Sequence, residues 1–194
     1  DKVIRNIEMP KVTSIGDRAF YSCSQFAPTS LPSGLTSIGS NTFFACSKLA
    51  LTELPSGITS IGDCAFRSCY VLALTSLPSG ITSINDNVFD SCSGLALTSL
   101  PSGITRIGSY TFRYCEKLAL TELPSGITSI GDYAFQSCKG LTTLTFKGTP
   151  TSIKSSAFNS CANLTTINVP WAEGEVAGAP WGTNATINYN YTGE

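Results

Sequence analysis

Eight cysteines and no histidine bound the chemistry open to this chain. Seven of the thiols keep one step: Cys23, Cys46, Cys69, Cys92, Cys115, Cys138 and Cys161 stand 23 residues apart. A zinc centre draws four ligands to a point, whereas such a series sets them in a row. Flanked by Ala and Phe, each ladder cysteine reads as a small buried hydrophobe with a free thiol. Cys64 is the exception. It occupies an offset filled elsewhere by Arg18, Asn41, Asn87, Tyr110, Tyr133 and Ser156, so it is the candidate exposed thiol. Without histidine, Ser-His-Asp and Cys-His catalysis and His-ligated metals are excluded. Asp17, Asp63, Asp86 and Asp132 recur near a turn, but calcium needs six or more converging oxygens and Ser40, Ser109 and Ser155 interrupt the series. A turn or cap role is expected of these carboxylates. No catalytic, cofactor-binding or metal-binding residue is assigned, and the chain is not read as an enzyme.

Contact chemistry is the alternative, and two surfaces offer it. Counting from the repeated Ile, the variable offsets are three and six. The offset-six row runs Tyr21, Phe44, Arg67, Asp90, Arg113, Gln136 and Asn159. Arg67, Asp90 and Arg113 are expected to stack as an alternating charge row, worth little in water. Tyr21 with Phe44, and Tyr110 with Tyr133, are expected to form exposed aromatic pairs, the side chains that anchor protein interfaces. The second surface is the outward side of the later strands, with Thr142, Thr143, Thr165 and Thr166; it is polar, small and nearly uncharged, as any exposed sheet face must be.

These residues are positioned by a repeat. Ile15, Ile38, Ile61, Ile84, Ile107, Ile130 and Ile153 follow the 23-residue step of the cysteines, as do Phe20, Phe43, Phe66, Phe89, Phe112, Phe135 and Phe158. Turns reading L-P-S-G begin at Leu31, Leu54, Leu77, Leu100 and Leu123. A period of 23 lies within the leucine-rich range and is too short for paired helices. One unit cannot bury its apolar side alone, so stacked units, at roughly 5 Å per coil, align the fixed positions into internal ladders. The expected fold is an α/β solenoid: a right-handed leucine-rich repeat coil of about seven repeats, with short strands at Ile127-Thr128-Ser129-Ile130 and its equivalents. Apolar residues at offsets 0, 4, 5 and 8 predict short helical or 3₁₀-like turns, with Asp132 capping one of them. Leu141 to Phe146 and Leu164 to Val169 read as L-x-x-L-x-L strands, and Ile4 to Met9 repeats that pattern. In the middle repeats the apolar offsets become 0, 2 and 5, as at Leu118-Ala119-Leu120-Thr121-Glu122-Leu123, which predicts a broken or irregular main sheet.

The solenoid is expected over 1–169. Residues 170–194 leave the repeat and carry both tryptophans, Trp171 and Trp181, then an alternating stretch from Ala185 to Tyr191. They read as a β-rich, aromatic C-terminal cap over the last coil's apolar face. The opposite end has no equivalent, which leaves self-association through the N-terminal face open.

Of 194 residues, 12 Lys+Arg balance 13 Asp+Glu, for a net charge of −1. Without a basic stripe, binding to nucleic acid loses its main drive, and no apolar run is long enough to insert in a membrane. The unit Thr128-Ser129-Ile130-Gly131-Asp132-Tyr133-Ala134-Phe135-Gln136-Ser137-Cys138 resembles the consensus of the BspA-type (treponemal-type) leucine-rich repeat proteins. That resemblance implies a bacterial cell-surface or secreted protein. It also implies adhesion, through binding of an unknown protein or glycan partner, such as a host extracellular protein. A structural spacer within a larger surface or phage-tail-like protein is the alternative. No cofactor is implied.

Overall fold

The computed structural model describes residues 11–193, so the strand expected at Ile4 to Met9 lies outside the described residues. In chain order the strands are β1 (Ser14–Ile15), β2 (Ser37–Ile38), β3 (Ser60–Ile61), β4 (Ser83–Ile84), β5 (Arg106–Ile107), β6 (Glu122–Leu123), β7 (Ser129–Ile130), β8 (Thr143–Phe146), β9 (Ser152–Ile153), β10 (Thr166–Asn168) and β11 (Thr186–Asn188). We number the coils 1 to 7 by the Ile ending β1, β2, β3, β4, β5, β7 and β9. Each such strand pairs parallel, in sequence-equivalent register, with its neighbour (Ser14 with Ser37, Ile107 with Ile130), so the 23-residue step becomes one turn of the solenoid. These strands form two sheets, β1-β2-β3 and β4-β5-β7-β9, with a break between coils 3 and 4.

The turns predicted to be helical are not. Among the described residues there is no helix. Two positions in each of coils 1 to 6, offsets three and seven, hold positive φ, as at Asn41 (56°), Ala45 (57°), Tyr110 (57°) and Tyr114 (59°); coil 7 keeps the second, Ser160. A left-handed residue every fourth position stops an α-helix from propagating. The amides then divide their partners. Phe44 and Cys46 donate within the coil, to Asn41 O (3.2 Å) and Phe43 O (3.0 Å). Asn41, Phe43 and Ala45 donate forward to the next coil, to the carbonyls of Asp63, Ala65 and Arg67, each at 2.8 Å. The turn segment is thus a stacked wall laced to its neighbours as a sheet is. The carboxylates serve that wall too: Asp17 Oδ1 accepts from Ser40 N (2.6 Å) and Asp86 Oδ1 from Ser109 N (3.0 Å), capping the following coil instead of their own. Asp132, expected as a helix cap, accepts instead from Ser156 Oγ of the next coil at 3.1 Å.

Side chains inside follow the ladders. Phe43, Phe66, Phe89, Phe112, Phe135 and Phe158 are fully buried. Successive rings stack 5.1 to 5.8 Å apart, close to the strand spacing that sets the coil rise. The ladder cysteines from Cys46 to Cys161 are buried beside them. They also do more than fill space: Cys92 Sγ donates to Phe66 O of the preceding coil at 3.0 Å, and Cys138 Sγ to Phe112 O at 3.0 Å, with the same contact at each rung. A thiol is therefore a second donor for a carbonyl that already accepts its own coil's Cys amide.

The main sheet is irregular in the middle, as the 0, 2, 5 pattern predicts. Among the described residues it forms as β11-β10-β8-β6, and β6 lies within the 0, 2, 5 stretch at Leu118 to Leu123, which still takes Thr145 N and Lys147 N at 2.9 and 3.0 Å. Between two coils in which Ala-Leu replaces the L-x-x-L spacing, a single amide crosses, such as Ala73 N to Leu51 O (3.0 Å) or Ala96 N to Leu74 O (3.1 Å). Beyond coil 7 the tail closes a further coil. β11 pairs parallel with β10, Trp181 O accepts the Phe158 amide at 2.9 Å, and Trp171 and Trp181 are buried against Phe146. A side-chain amide series, Asn188 to Asn168 (2.8 Å) and Asn168 to Thr145 Oγ1 (3.2 Å), runs along the sheet into this coil, with Asn168 buried at its centre.

Candidate interaction surface

The turn wall brings the offset-six row together. Tyr21 and Phe44 stack at 4.8 Å, and Arg67 lies over the Phe44 ring at 5.6 Å. Asp90 comes next, and here the expectation of a solvent-washed charge row needs correction. Its side chain is 0 % exposed, whereas Arg67 and Arg113 keep 37 % and 25 %. Arg113 grips both carboxylate oxygens, Nε to Oδ1 at 3.0 Å and Nη2 to Oδ2 at 2.8 Å. Arg67 Nε lies 3.0 Å from Oδ2 on the other side, and Ser91 Oγ donates to Oδ1 at 3.1 Å. The two long guanidinium arms from adjacent coils cover the shorter carboxylate and satisfy it, the condition under which a charge tolerates burial. Since that bidentate grip opposes desolvation, the Arg113 guanidinium is held above its ordinary pKa, the hydrogen bond to Asp90 being the main cause.

Arg113 also meets aromatic faces on two sides, Tyr110 at 4.8 Å and Tyr114 at 5.4 Å, and Tyr110 stacks on Tyr133 at 5.4 Å. Tyr110, Tyr114 and Tyr133 all sit at positive φ, where Asn41 and Asn87 show the easier choice. A bulky residue in that region costs about 1–2 kcal/mol. The result is a guanidinium clamped by a buried carboxylate and two tyrosines, with Tyr114 43 % exposed. Sequence comparison of offsets three and six did not include Tyr114. Its signal was available at offset seven, where Ser22, Ala45, Ser68, Ser91, Ser137 and Ser160 stand in the other coils. Tyr70 and Val71 are also exposed, where the other coils carry Ser24-Gln25, Ser47-Lys48, Ser93-Gly94, Glu116-Lys117, Lys139-Gly140 and Ala162-Asn163.

The threonine face is placed as expected, with one of its hydroxyls taken up by the backbone. Thr142, Thr143 and Thr165 are exposed and Thr166 is half-buried on β8, β10 and the residues before them. Thr165 Oγ1 donates to Thr142 O at 3.3 Å. On the neighbouring strand wall Thr105, Thr128 and Thr151 do the same to the preceding coil, at 3.1, 3.0 and 2.9 Å. These hydroxyls link coil to coil.

The thiol expectation also needs correction. Cys64 is half-buried, not exposed, like most residues at its offset; burial pushes its thiol up, and the neighbouring Arg67 pulls the other way less strongly. The exposed thiol is Cys23 of coil 1. Among the described residues no three His, Cys, Asp or Glu side chains gather to hold a metal ion, and no helix is long and apolar enough to cross a membrane. At the N-terminal end Val12, Ile15, Phe20, Phe26 and Leu31 line an apolar depression of about 300 Å³.

The family described as the BspA type leucine rich repeat region matches in 6 copies, over residues 1–119 and 85–174. Among solved structures, the leucine rich repeat protein of T. pallidum is 32 % identical with a TM-score of 0.66, covering 81 % of this chain and 74 % of that one. A leucine-rich repeat protein of Bacteroides ovatus ATCC 8483, 24 % identical with a TM-score of 0.63, shares the fold; the match covers 93 % of this chain and 53 % of that one. No curated protein matches.

Proposed function

Because the chain belongs to the BspA-type leucine-rich repeat family, we propose that it is a non-catalytic binding module that grips a protein partner through its turn wall. Leucine-rich repeat proteins are generally binding modules, and this family is usually surface-associated, which makes a host extracellular protein the partner class to test first. The observation that carries the reading is the clamp at Arg113. Three tyrosines occupy left-handed backbone at a cost in stability; Tyr110 and Tyr114 flank a guanidinium already fixed on Asp90, and Tyr133 stacks on Tyr110. Tyrosine and arginine held rigid before contact are the side chains in which binding energy concentrates. The threonine face has no such feature, and its Thr165 hydroxyl serves the backbone.

Purified chain is titrated against immobilised host extracellular proteins, as wild type, as Y110A/Y114A and as T143K/T165K. The paired tyrosine change is expected to weaken binding at least about tenfold, the loss of one moderate hot spot, and the lysine change to leave it within twofold. Loss on the lysine variant alone moves the site to the sheet. Failure of all three to bind any protein at micromolar concentration favours the spacer reading.

A further inference from the structure

On the strand wall, adjacent coils are laced by the same two backbone bonds. Thr36 and Gly39 donate to Thr13 and Ile15 (2.8 and 2.8 Å), Thr59 and Gly62 to Thr36 and Ile38 (2.9 and 2.9 Å), and Thr105 and Gly108 to Thr82 and Ile84 (2.8 and 2.8 Å). Between coils 3 and 4 neither bond is made, and the sheet stops at β3 and restarts at β4. The residue responsible is Asn85, which stands where coils 1, 2, 3, 5 and 6 carry glycine. Coils pack so closely there that a Cβ at Gly62 would lie 2.5 Å from Ser40 N, and one at Gly131 2.5 Å from Ser109 N. Bulk alone does not open the wall, since Lys154 occupies the same offset in coil 7 and still donates to Ile130 O at 3.1 Å. Asn85 differs in carrying its own donor: its Nδ2 takes the Ile61 carbonyl at 3.1 Å, the acceptor the backbone amide would otherwise use. The side chain wedges and competes at once.

The opposite wall of this junction stays closed. Cys64, Phe66 and Ser68 donate to Asp86, Val88 and Asp90 at 3.0, 3.0 and 2.8 Å, and Arg67 pairs with Asp90 across it. The main-sheet side also holds, through Gly94 N to Tyr70 O (2.9 Å) and Ala96 N to Leu74 O (3.1 Å). One wall unlaced while the rest of the junction is stapled is the arrangement of a hinge, with its pivot away from Asn85. We propose that the junction between coils 3 and 4 is a built-in hinge, about which the N-terminal three coils tilt against the rest by opening the strand wall at Asn85. The pivot lies between the Tyr21–Phe44 pair of coils 1 and 2 and the tyrosine cluster of coils 5 and 6, so bending alters the angle between two aromatic groups on one surface. The hinge itself does not depend on the binding proposal.

Residue-resolved amide exchange and ¹⁵N relaxation dispersion on the intact chain test it. Thr82 and Asn85 amides are expected to exchange at least roughly tenfold faster than those of Thr59, Gly62, Thr105 and Gly108, the signature of missing lattice bonds. Ile61 and Ile84 are expected to show microsecond–millisecond dispersion that is absent at Ile38 and Ile107. N85G should slow Thr82 into the range of its equivalents and abolish the dispersion; G108N should create the same behaviour between coils 4 and 5. Slow exchange at Thr82 in the wild type removes the gap, and flat dispersion with no response to N85G leaves a static defect. Either result overturns the hinge, even if G108N does not fold.

Discussion

The ladder cysteine shows how much one side chain is asked to do. It must be small, apolar enough for a packed interior and able to offer a proton to a carbonyl one coil back, which alanine cannot do. Burial makes its ionisation costly: Cys46 is pushed up to about 12 and Cys161 to about 11 from an ordinary 9.0, and Cys69, Cys92, Cys115 and Cys138 are raised for the same reason. Above pH 9.0 the unfolded chain loses thiol protons that the folded chain keeps. The contribution to stability is therefore complete below that pH and falls as pH climbs towards 12. Thermal melts between pH 7 and 11 should show Tm declining above about 9, less steeply in Cys138→Ala; a flat profile contradicts the burial of the ladder. At pH 8 a thiol reagent should modify Cys23 first and Cys64 slowly, and reach the other six only on unfolding.

At the level of the coil, most of the architecture was legible because stacking forces identical neighbours to meet. The spacing of Ile and Phe fixed the strands, the rings and the rise, and the 0, 2, 5 pattern announced that the main sheet is irregular in the middle, though β6 forms within one such stretch. The turn segment was not legible as such. Apolar offsets 0, 4, 5 and 8 describe which side chains face inward, and a helix and a kinked, cross-linked wall satisfy them equally; the difference lies in where the amides go, which hydrophobic spacing does not record. The burial of Asp90 was hidden for a related reason, since it depends on arginines 23 residues away on both sides. Glycine tests the coil contact directly. At Gly131 an added methyl would meet Ser109 N at 2.5 Å, whereas at Gly103 the nearest atom is 3.9 Å away. In urea unfolding G131A should cost about 1–3 kcal/mol and G103A no more than about 0.5 kcal/mol. Equal costs would show that coils do not approach as closely as described.

The whole molecule is quasi-one-dimensional, so its ends matter more than in a globule. Trp181 closes one of them, fully buried and receiving the Phe158 amide. W181A should lower stability by about 3–5 kcal/mol and expose coil 7 first, read as faster amide exchange at Phe158 and Leu164 than at Phe66 and Leu72. Uniform acceleration along the chain would mean that the array unfolds as a single unit. The forward-donating amides of the turn wall act at the same scale. In each peptide unit there, such as that joining Asp63 to Cys64, the carbonyl accepts from the coil before and the N–H donates to the coil after. Every such unit points the same way, so their moments, about 3.5 D each, add along the axis instead of cancelling. That wall is electropositive towards its C-terminal end, whereas the strand wall, whose amides donate backward (Gly39 N to Ile15 O, Gly131 N to Ile107 O), is polarised in the opposite sense. Each further repeat would lengthen this pair of opposed polar walls without adding an ionised group.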